Sequence, residues 1–301
     1  MEKAILKTLI YSNIFDYPLT LSEIHKWLIE KKATPRDIEK ALKVLILKRK
    51  AKEKKGYIFL KKEGLVNRRI QRVRQSDLYI RKVRIISQFL RVIPWVKLIG
   101  ISGGLAMENA DKKDDIDLLI ITSKKRLWLS RFFVLGFLQI IGQRRKVDHS
   151  LKEASGKICC NIFLEEDNLE QRRHDLYTAH EILQMKVLWE KDNIYSKFLE
   201  DNEWVFKFLP NWVGPDASLR GAQRRSNLRK EIAAPFGLAM TMEDLAKKIQ
   251  MKIMQKSKGM ERVEEGALYF HPNDLRDKIL KEFNKRSSLI GKRASKTVSY
   301  K

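Results

Sequence analysis

The sequence has 301 residues, of which 44% are hydrophobic, while glycine (14) and proline (7) are sparse, so a disordered chain is excluded. Its 62 Lys and Arg against 37 Asp and Glu give a formal net charge of +25, which favours a polyanionic partner, most often nucleic acid and less often an anionic membrane surface. At about 100–200 residues per domain, the length allows two or three domains.

The cysteines and the apolar runs indicate where the protein resides. Cys159 and Cys160 are adjacent, are poorly placed to bridge each other and cannot form a CxxC zinc cluster, so a reducing compartment is favoured. The most apolar run, residues 127–142, contains Arg131 and Gln139 and is shorter than the ~20 residues that a membrane span needs. We expect no signal peptide, because no small-residue cleavage site follows the first apolar segment. These features predict a cytoplasmic protein with no membrane partner.

The beginning of the chain, residues 1–62, predicts a small helical domain that ends in a β-hairpin. Apolar residues at helical spacing predict a first helix. Thr20 and Glu23 have the spacing of a capping box, and Thr34 followed by proline predicts the start of a third helix. Residues 50–62 then have the pattern of two short strands around a Lys-Lys-Gly turn.

Three helices followed by a basic hairpin resemble a winged helix-turn-helix domain, with residues 35–48 as recognition helix and 50–62 as wing. Such domains place one helix in the major groove and the wing against the phosphate backbone. We therefore expect nucleic-acid contacts from six basic residues, namely Arg36, Lys40 and Lys43 on the helix and Lys52, Lys54 and Lys55 on the wing. Two alternatives stay open: the domain only packs against the rest of the chain or a partner protein, or its basic face is solvated without a partner.

Much of the positive charge lies in and beyond this predicted domain. Between Lys40 and Arg91 there are 18 Lys and Arg against three acids, a net of +15 out of +25. Residues 63–95 predict a basic helical connector, whose helix ends before Pro94. A charge concentrated in this way supports the expectation of a nucleic-acid partner.

The rest of the chain predicts a small mixed sheet followed by a helical region. The predicted core, residues 96–168, contains strands and one helix, namely strands at 96–101, 115–122 and 157–164 and a helix at 125–141. From residue 170 onward the patterns are helical, including residues 171–191, and a basic tail begins at Lys285. The predicted fold class is α+β, with a helical C-terminal domain at 169–301.

Between two of these strands lies the pattern on which the functional interpretation depends. Gly103 and Gly104 end one apolar run, and Asp115 and Asp117 enter the next. Side chains at i and i+2 of a strand point to the same side, and two carboxylates placed together are a costly like-charge pair unless a cation neutralises them. Mg²⁺ prefers one or two carboxylates together with substrate phosphates. Glycines let a triphosphate approach the backbone amides closely, so the pattern indicates a metal site beside a phosphate site.

An apolar strand, a Gly-Gly pair, ten residues and then Asp-x-Asp on the next strand resemble the nucleotidyltransferase superfamily that includes DNA polymerase β. The resemblance covers only residues 96 to about 165. It implies transfer of a nucleoside monophosphate from a nucleoside triphosphate, with ATP as the expected donor, to an acceptor hydroxyl. It also implies that Asp115 and Asp117 are catalytic and hold Mg²⁺, and that Ser102, Gly103 and Gly104 bind the nucleotide.

One position departs from the family pattern. The family often has a third carboxylate on a later strand, but the equivalent position here is Asn161, an amide that cannot accept a proton. Asp148 and Glu165 are the other nearby acids. Three alternatives follow: a site with two carboxylates, a base supplied from elsewhere, or a nucleic-acid-binding regulator whose core is degenerate and does not catalyse.

Other interpretations of the same residues are weaker. Ser102 fits the G-x-S-x-G pattern of a hydrolase nucleophile elbow, but that elbow runs directly into a helix, whereas another strand follows here. A simpler alternative also stays open, in which Asp115 and Asp117 merely begin a strand after a turn. His180 and Glu181 lack the second histidine of H-E-x-x-H, because Gln184 stands in its place. We expect them to be surface polar residues on a helix that follows the core, and a position facing the site or the acceptor stays open as the alternative. The sequence leaves the acceptor and the oligomeric state open.

Overall fold

A computed structural model describes residues 1–60, 64–146, 151–214, 236–254, 261–270 and 275–295. The end of the predicted wing, Asp148 and the end of the predicted basic tail lie outside these ranges. Within the described part of the chain, none of the helices is both long enough and apolar enough to cross a bilayer.

The described elements are named here in chain order. The helices are α1 Glu2–Ile14, α2 Leu21–Lys26, α3 Pro35–Leu47, α4 Leu65–Leu90, α5 Gly103–Ala106, α6 Leu127–Ile140, α7 Leu151–Ala154, α8 Leu176–Gln184, α9 Ile194–Glu200, α10 Val205–Phe208, α11 Phe236–Met254 and α12 Arg276–Ser295. The strands are β1 Lys52–Lys54, β2 Tyr57–Phe59, β3 Val96–Ile101, β4 Ile116–Thr122, β5 Ile158–Glu165, β6 Lys186–Glu190, β7 Glu261–Glu264 and β8 Ala267–Phe270. The predicted α+β class is confirmed.

The N-terminal helices and hairpin form where the sequence predicts them. Thr20 and Glu23 make the capping box that begins α2, since the Thr20 hydroxyl accepts the Glu23 N–H and the Glu23 carboxylate accepts the Thr20 N–H. Thr34 caps α3 in the same way. β1 and β2 pair antiparallel, and Leu19 adds one further bridge to Ile58. The winged-helix interpretation and its boundary at residue 62 stay predictions.

One side of this N-terminal unit packs against the C-terminal helices. Helix α1 contacts α12, where the ring centroids of Tyr11 and Phe283 are 5.7 Å apart. Tyr11 also stacks on His180 of α8 at 4.3 Å. Packing against the rest of the chain therefore accounts for α1, while the basic residues of α3 and β1 remain exposed.

Helix α4 joins the two parts, and part of its positive charge is used internally. Arg69 is buried and donates to the Tyr17 hydroxyl at 2.7 Å, to the Glu108 carbonyl oxygen at 2.7 Å and to the Glu23 carboxylate at 3.1 Å. Arg68 forms an ion pair with Asp16. The basic excess of the connector is thus only partly available to a polyanionic partner.

A six-stranded mixed sheet forms the centre of the molecule. Its strand order is β6-β3-β4-β5-β8-β7. β4 and β5 are parallel, and every other neighbouring pair is antiparallel. Apolar residues of β3, β4 and β5 fill both faces, as is usual for strands covered on two sides.

The sheet includes segments for which the sequence predicted helix. Residues 171–191 were expected to be helical throughout, but α8 ends at Gln184 and β6 follows it, pairing with β3. β7 and β8 likewise lie in the region that was expected to be helical. The reason is long-range pairing, because β6 gains its backbone partners from a strand far away in the chain. The sheet therefore extends beyond the predicted core boundary at residue 168.

Helix α6 covers one face of the sheet and is capped from a distance. Its first amides have no partner within the helix, and the Glu243 carboxylate of α11 accepts the N–H groups of Trp128 at 2.7 Å and Leu129 at 3.0 Å. Gln250 of α11 donates to the Trp128 carbonyl oxygen at 2.7 Å. α11 is therefore joined to this face by hydrogen bonds as well as by apolar packing.

Candidate functional site

The two aspartates predicted to bind metal lie at the start of β4, in the interior of the sheet. β4 has β3 on one side and β5 on the other, and Asp117 is in register with Cys159 of β5. Ligand atoms of Asp115, Asp117 and Cys159 all lie within 4.8 Å of one another. The structure thus brings together the two carboxylates that the i, i+2 spacing places on one face.

The surroundings of these aspartates disfavour their charged forms. Burial is the main cause that raises the pKa of both Asp115 and Asp117, and the charges of Asp115 and Glu181 raise the pKa of Asp117 further. Arg145 opposes both effects, and its Nε lies 3.0 Å from Asp115 Oδ2. One guanidinium beside two carboxylates leaves negative charge in a recessed place. Two carboxylates in such a place fit Mg²⁺, which prefers oxygen ligands.

Cys159 is a β5 residue that lies beside the aspartates. Burial, followed by the aspartate charges, raises the pKa of the Cys159 thiol, so the thiol keeps its proton in the metal-free protein. A thiol is a poor ligand for Mg²⁺. Asn161, predicted at the third position, accepts a hydrogen bond from Ser102 Oγ at 3.4 Å. Its assignment to that position stays a prediction.

Gly103 lies directly against Asp117. Its φ of +60° is in the left-handed region that favours glycine. A Cβ at this position would lie 2.7 Å from Asp117 Oδ2. The neighbouring Ser102 N–H donates to the Asp117 carbonyl oxygen at 3.0 Å, which holds the turn onto β4. A Cβ at Gly104 would meet only the Asn109 carbonyl oxygen at 3.9 Å. Of the two glycines, therefore, only Gly103 has no room for a side chain.

Gly103→Ala is expected to destabilise the fold, and Gly104→Ala is its matched control. In Gly103→Ala the alanine would have a strained positive φ and its Cβ would press on the Asp117 carboxylate. Together these effects lower the free energy of unfolding by about 1–3 kcal/mol. The second adds a methyl group that makes only an ordinary van der Waals contact within a helical turn, and it leaves the free energy of unfolding within about 1 kcal/mol of the starting protein. Urea unfolding of both variants measures the difference. Equal free energies of unfolding would contradict the packing of Gly103 on Asp117.

The His180–Glu181 pair is not at the surface as expected. His180 is buried against Tyr11, and burial lowers its pKa to about 3, so the ring is neutral at pH 7. The Glu181 carboxylate accepts the Gly103 N–H and a hydrogen bond from Gln184 Nε2 at 2.6 Å. Burial raises the pKa of Glu181 to about 7. An acidic side chain therefore occupies a backbone amide that the sequence assigns to phosphate binding.

Glu181→Gln is expected to stabilise the protein at pH 8 but not at pH 4.5. The pKa of Glu181 in the folded protein, about 7, lies above its ordinary value of 4.5. The contribution of the group to stability is therefore fully present below about pH 4.5 and is lost as the pH rises to about 7, a loss of about 3 kcal/mol. Gln keeps the hydrogen bond from Gly103 and removes the charge.

Urea unfolding between pH 4.5 and pH 8 measures this effect. The free energy of unfolding of Glu181→Gln should exceed that of the starting protein by an amount that grows with pH. Glu200→Gln, at an exposed position of α9, is the control. If the curves for Glu181→Gln and Glu200→Gln run parallel, the Glu181 carboxylate is not held in the environment described here.

A small aromatic cavity lies beside the glycine pair. Its lining includes Gly103, Gly104 and Glu181 of α8 together with aromatic side chains of the N-terminal unit, namely Tyr11, Phe15, Tyr17 and Trp27. The N-terminal unit therefore forms one wall of the space next to the predicted nucleotide site.

The residues predicted to contact nucleic acid form a separate group. Arg36, Lys40 and Lys43 are exposed on α3, and Lys52, Lys54 and Lys55 are exposed on the hairpin. Lys43 forms an i, i+4 ion pair with Glu39 at 2.9 Å. None of the six is among the described residues that line the cavity beside the glycine pair.

The sequence interpretation missed Arg145 and Cys159, and it gave a position of Glu181 at the site only as an alternative to the surface. Glu181 had a weak signal, because it lies among apolar residues on a helix that is buried on most sides. Cys159 could be assigned only once the register of β4 and β5 was known, since it is the β5 residue that pairs with Asp117. No sequence signal indicated Arg145, because it comes from a loop that is distant in sequence from Asp115.

Comparisons with known proteins give little. No protein-family model matches this chain, and no curated protein sequence matches it significantly. One solved structure, described as "Crystal structure of the toxin-antitoxin with AMP-PNP", matches over 39% of this chain and 82% of its own, with 15% identity and a TM-score of 0.24. A similarity this low shows neither a shared fold nor a shared function.

Proposed function

We propose that this chain is a Mg²⁺-dependent nucleotidyltransferase, which transfers a nucleoside monophosphate from a nucleoside triphosphate, with ATP as the expected donor, to an acceptor hydroxyl. The observation that carries the proposal is the pair of Asp115 and Asp117, recessed in the sheet and packed against the positive-φ Gly103. A strand that merely began after a turn would have no need for two recessed carboxylates, because such a pair costs stability.

Each part of the site has a role in this proposal. Asp115 and Asp117 would hold Mg²⁺, which when bound neutralises charge on the phosphate oxygens. The amides of Gly103 and Gly104 would donate to phosphate oxygens. Glu181 accepts the Gly103 N–H in the nucleotide-free protein, so its carboxylate must leave that amide before a phosphate can take it.

The position of a radioactive label tests the reaction. The full chain is incubated with Mg²⁺ and each of the four nucleoside triphosphates, labelled in turn at the α and γ phosphate, alone and with total RNA or total protein. Nucleotidyl transfer moves the α label to an acceptor and leaves the γ label in pyrophosphate. Transfer of the γ label alone would identify a phosphoryl transferase instead, and transfer of neither label would favour a non-catalytic core.

A second candidate function is a nucleic-acid-binding regulator with a degenerate core. Two observations favour it: the amide Asn161 stands at the predicted third position, and the Glu181 carboxylate occupies the Gly103 amide. The exposed basic residues of α3 and the hairpin suit nucleic acid in both proposals. Asp117→Asn separates them, because it abolishes transfer in the first and leaves nucleic-acid binding intact in both.

The free thiols of Cys159 and Cys160 support a cytoplasmic location.

A further inference from the structure

A cysteine lies in the same group as the two aspartates. The ligand atoms of Asp115, Asp117 and Cys159 all lie within 4.8 Å of one another, and we call these three residues the Asp–Asp–Cys group. Each of the three is only partly buried, so a metal ion can reach the group from solvent. Cys159 pairs with Asp117 on the neighbouring parallel strand, and residues paired in this way have their side chains on the same face of a sheet.

The neighbours of this group do not neutralise it completely. Arg145 Nε lies 3.0 Å from Asp115 Oδ2, and Nη1 of the same guanidinium lies 3.7 Å from Cys159 Sγ. The side chain of Asp117, by contrast, forms no hydrogen bond or ion pair with any residue that the structure describes. A recessed carboxylate without a partner is unfavourable unless a cation neutralises it. The unpartnered carboxylate of Asp117 therefore indicates a cation site.

The donor atoms decide which cation fits this site. Mg²⁺ needs a nearly octahedral set of oxygen ligands and keeps several waters, so a sulfur ligand does not suit it. Zn²⁺ binds both carboxylate oxygen and thiolate sulfur, usually with four ligands in a tetrahedron. Zn²⁺ sites that also bind water or substrate have three protein ligands and one open position. Two carboxylates and one thiolate supply three such ligands, so the group fits Zn²⁺ better than Mg²⁺.

We propose that the Asp–Asp–Cys group binds Zn²⁺ in competition with Mg²⁺. As the Zn–S bond forms, the Cys159 thiol releases its proton to solvent, and the two carboxylates complete the set of protein ligands. The aspartates serve either ion, whereas the sulfur serves Zn²⁺ alone. Cys159 is therefore the residue that determines which ion the site prefers.

This preference gives the site a form of regulation that rests on the proposed function. A tetrahedral ion held by three protein ligands has one open position. Mg²⁺, by contrast, keeps several positions for waters and substrate phosphate oxygens. Zn²⁺ in the Asp–Asp–Cys group occupies both aspartates without offering the positions that the triphosphate needs. Nucleotidyl transfer therefore stops until a chelator removes the ion.

Titration of the chelator-treated full chain with Co²⁺ tests the metal site. Co²⁺ takes the place of Zn²⁺ in tetrahedral sites, and a bond between Co²⁺ and a thiolate adds a charge-transfer band in the near ultraviolet. We expect this band to appear and to saturate with a single ion per chain. Added Zn²⁺ should remove the band, whereas the same concentration of Mg²⁺ should leave it unchanged.

Cys159→Ser removes the sulfur ligand, and Cys160→Ser is its matched control. Both cysteines are free, but Cys160 pairs with Leu118 and is not part of the Asp–Asp–Cys group. Cys159→Ser should lose the band, and the ratio of its Zn²⁺ affinity to its Mg²⁺ affinity should fall by at least about tenfold. Cys160→Ser should keep both the band and the ratio. Competition with a chromophoric chelator measures the affinities, and thermal unfolding verifies that each variant is folded.

Two results would overturn the proposal. The first is the absence of the band in the starting protein, which requires no variant to fold. The second is an equal ratio of Zn²⁺ to Mg²⁺ affinity in Cys159→Ser and Cys160→Ser. Should Cys159→Ser not fold, Cys159→Ala takes its place with the same expected losses.

A failure of this inference is distinguishable from a failure of the proposed function. The Co²⁺ and Zn²⁺ titrations contain no nucleotide, so a chain that transfers no label can still show the metal site. In the label-transfer assay with Mg²⁺, free Zn²⁺ set by a metal buffer should inhibit Cys160→Ser as it inhibits the starting protein. Cys159→Ser should need a concentration at least about tenfold higher. Equal inhibition of the two variants would overturn the regulatory role, and absence of transfer in every sample would count against the proposed function alone.

Discussion

Asp117→Asn is expected to lower nucleotidyl transfer by at least about 10³-fold and, at the same time, to stabilise the metal-free protein. The loss corresponds to about 4 kcal/mol in the activation barrier, because the amide removes one of two carboxylates that would hold Mg²⁺. The gain in stability has a different cause. Burial and the neighbouring charges of Asp115 and Glu181 raise the pKa of Asp117, so its ionised form is unfavourable in the fold until a cation is bound.

Three measurements check this prediction: label transfer, calorimetric titration of the Mg²⁺–nucleotide complex, and urea unfolding with a metal chelator present. Asp111→Asn is the matched control, since Asp111 is an exposed acid in the same segment between the glycine pair and β4. It should change none of the three by more than a small factor. If Asp117→Asn binds the Mg²⁺–nucleotide complex as well as the starting protein does, the metal site is wrongly assigned.

Binding to duplex nucleic acid is expected to fall by about two to three orders of magnitude between 50 and 200 mM salt. Each phosphate that a basic residue neutralises releases counterions, so log K falls against log[salt] with a slope of about −0.9 per contact. We expect about four to six contacts from α3, the hairpin and α4. The internal use of Arg69 is one reason why the number of contacts is far below the number of basic residues in this region.

A pair of triple variants tests where these contacts lie. Changing Lys52, Lys54 and Lys55 to Ala should flatten the slope by about one unit for each lost contact. Changing Lys247, Lys248 and Lys252, which are exposed on α11, to Ala removes the same charge elsewhere and should leave the slope nearly unchanged. Sequence preference should depend on Arg36, Lys40 and Lys43. No binding at 50 mM salt, or equal slopes for the two variants, would leave the hairpin as a solvated or protein-docking surface.

Local patterns predicted the parts of the fold that local chemistry determines. Thr20 with Glu23 and Thr34 with Pro35 are cap signals that act within one helical turn, and both helices begin where predicted. Residues 96–101 are apolar apart from Lys97 and are flanked by breaks in the pattern, and β3 has those bounds. The i, i+2 spacing of Asp115 and Asp117 is a property of any strand, so their common face was predictable too.

The remaining features depend on residues that meet only after folding. Residues 186–190 have no alternation that distinguishes strand from helix, and their strand conformation comes from pairing with β3. Arg145 reaches Asp115 from a loop, and Glu181 reaches the Gly103 amide from a helix formed much later in the chain. No periodicity within a short window contains such information. The fold class and the aspartates were therefore predictable, whereas the electrostatics of the site were not.

The position of β8 in the chain has a consequence during biosynthesis. β8 covers one edge of β5, with Ile162 paired to Tyr269, and the ribosome makes β8 long after β5. Until then, the backbone amides and carbonyls along that edge of an apolar strand are unpaired, and such edges pair readily with other chains. A chain cut before residue 261 would keep that edge open, and we expect it to aggregate although it retains Asp115, Asp117 and the glycine pair.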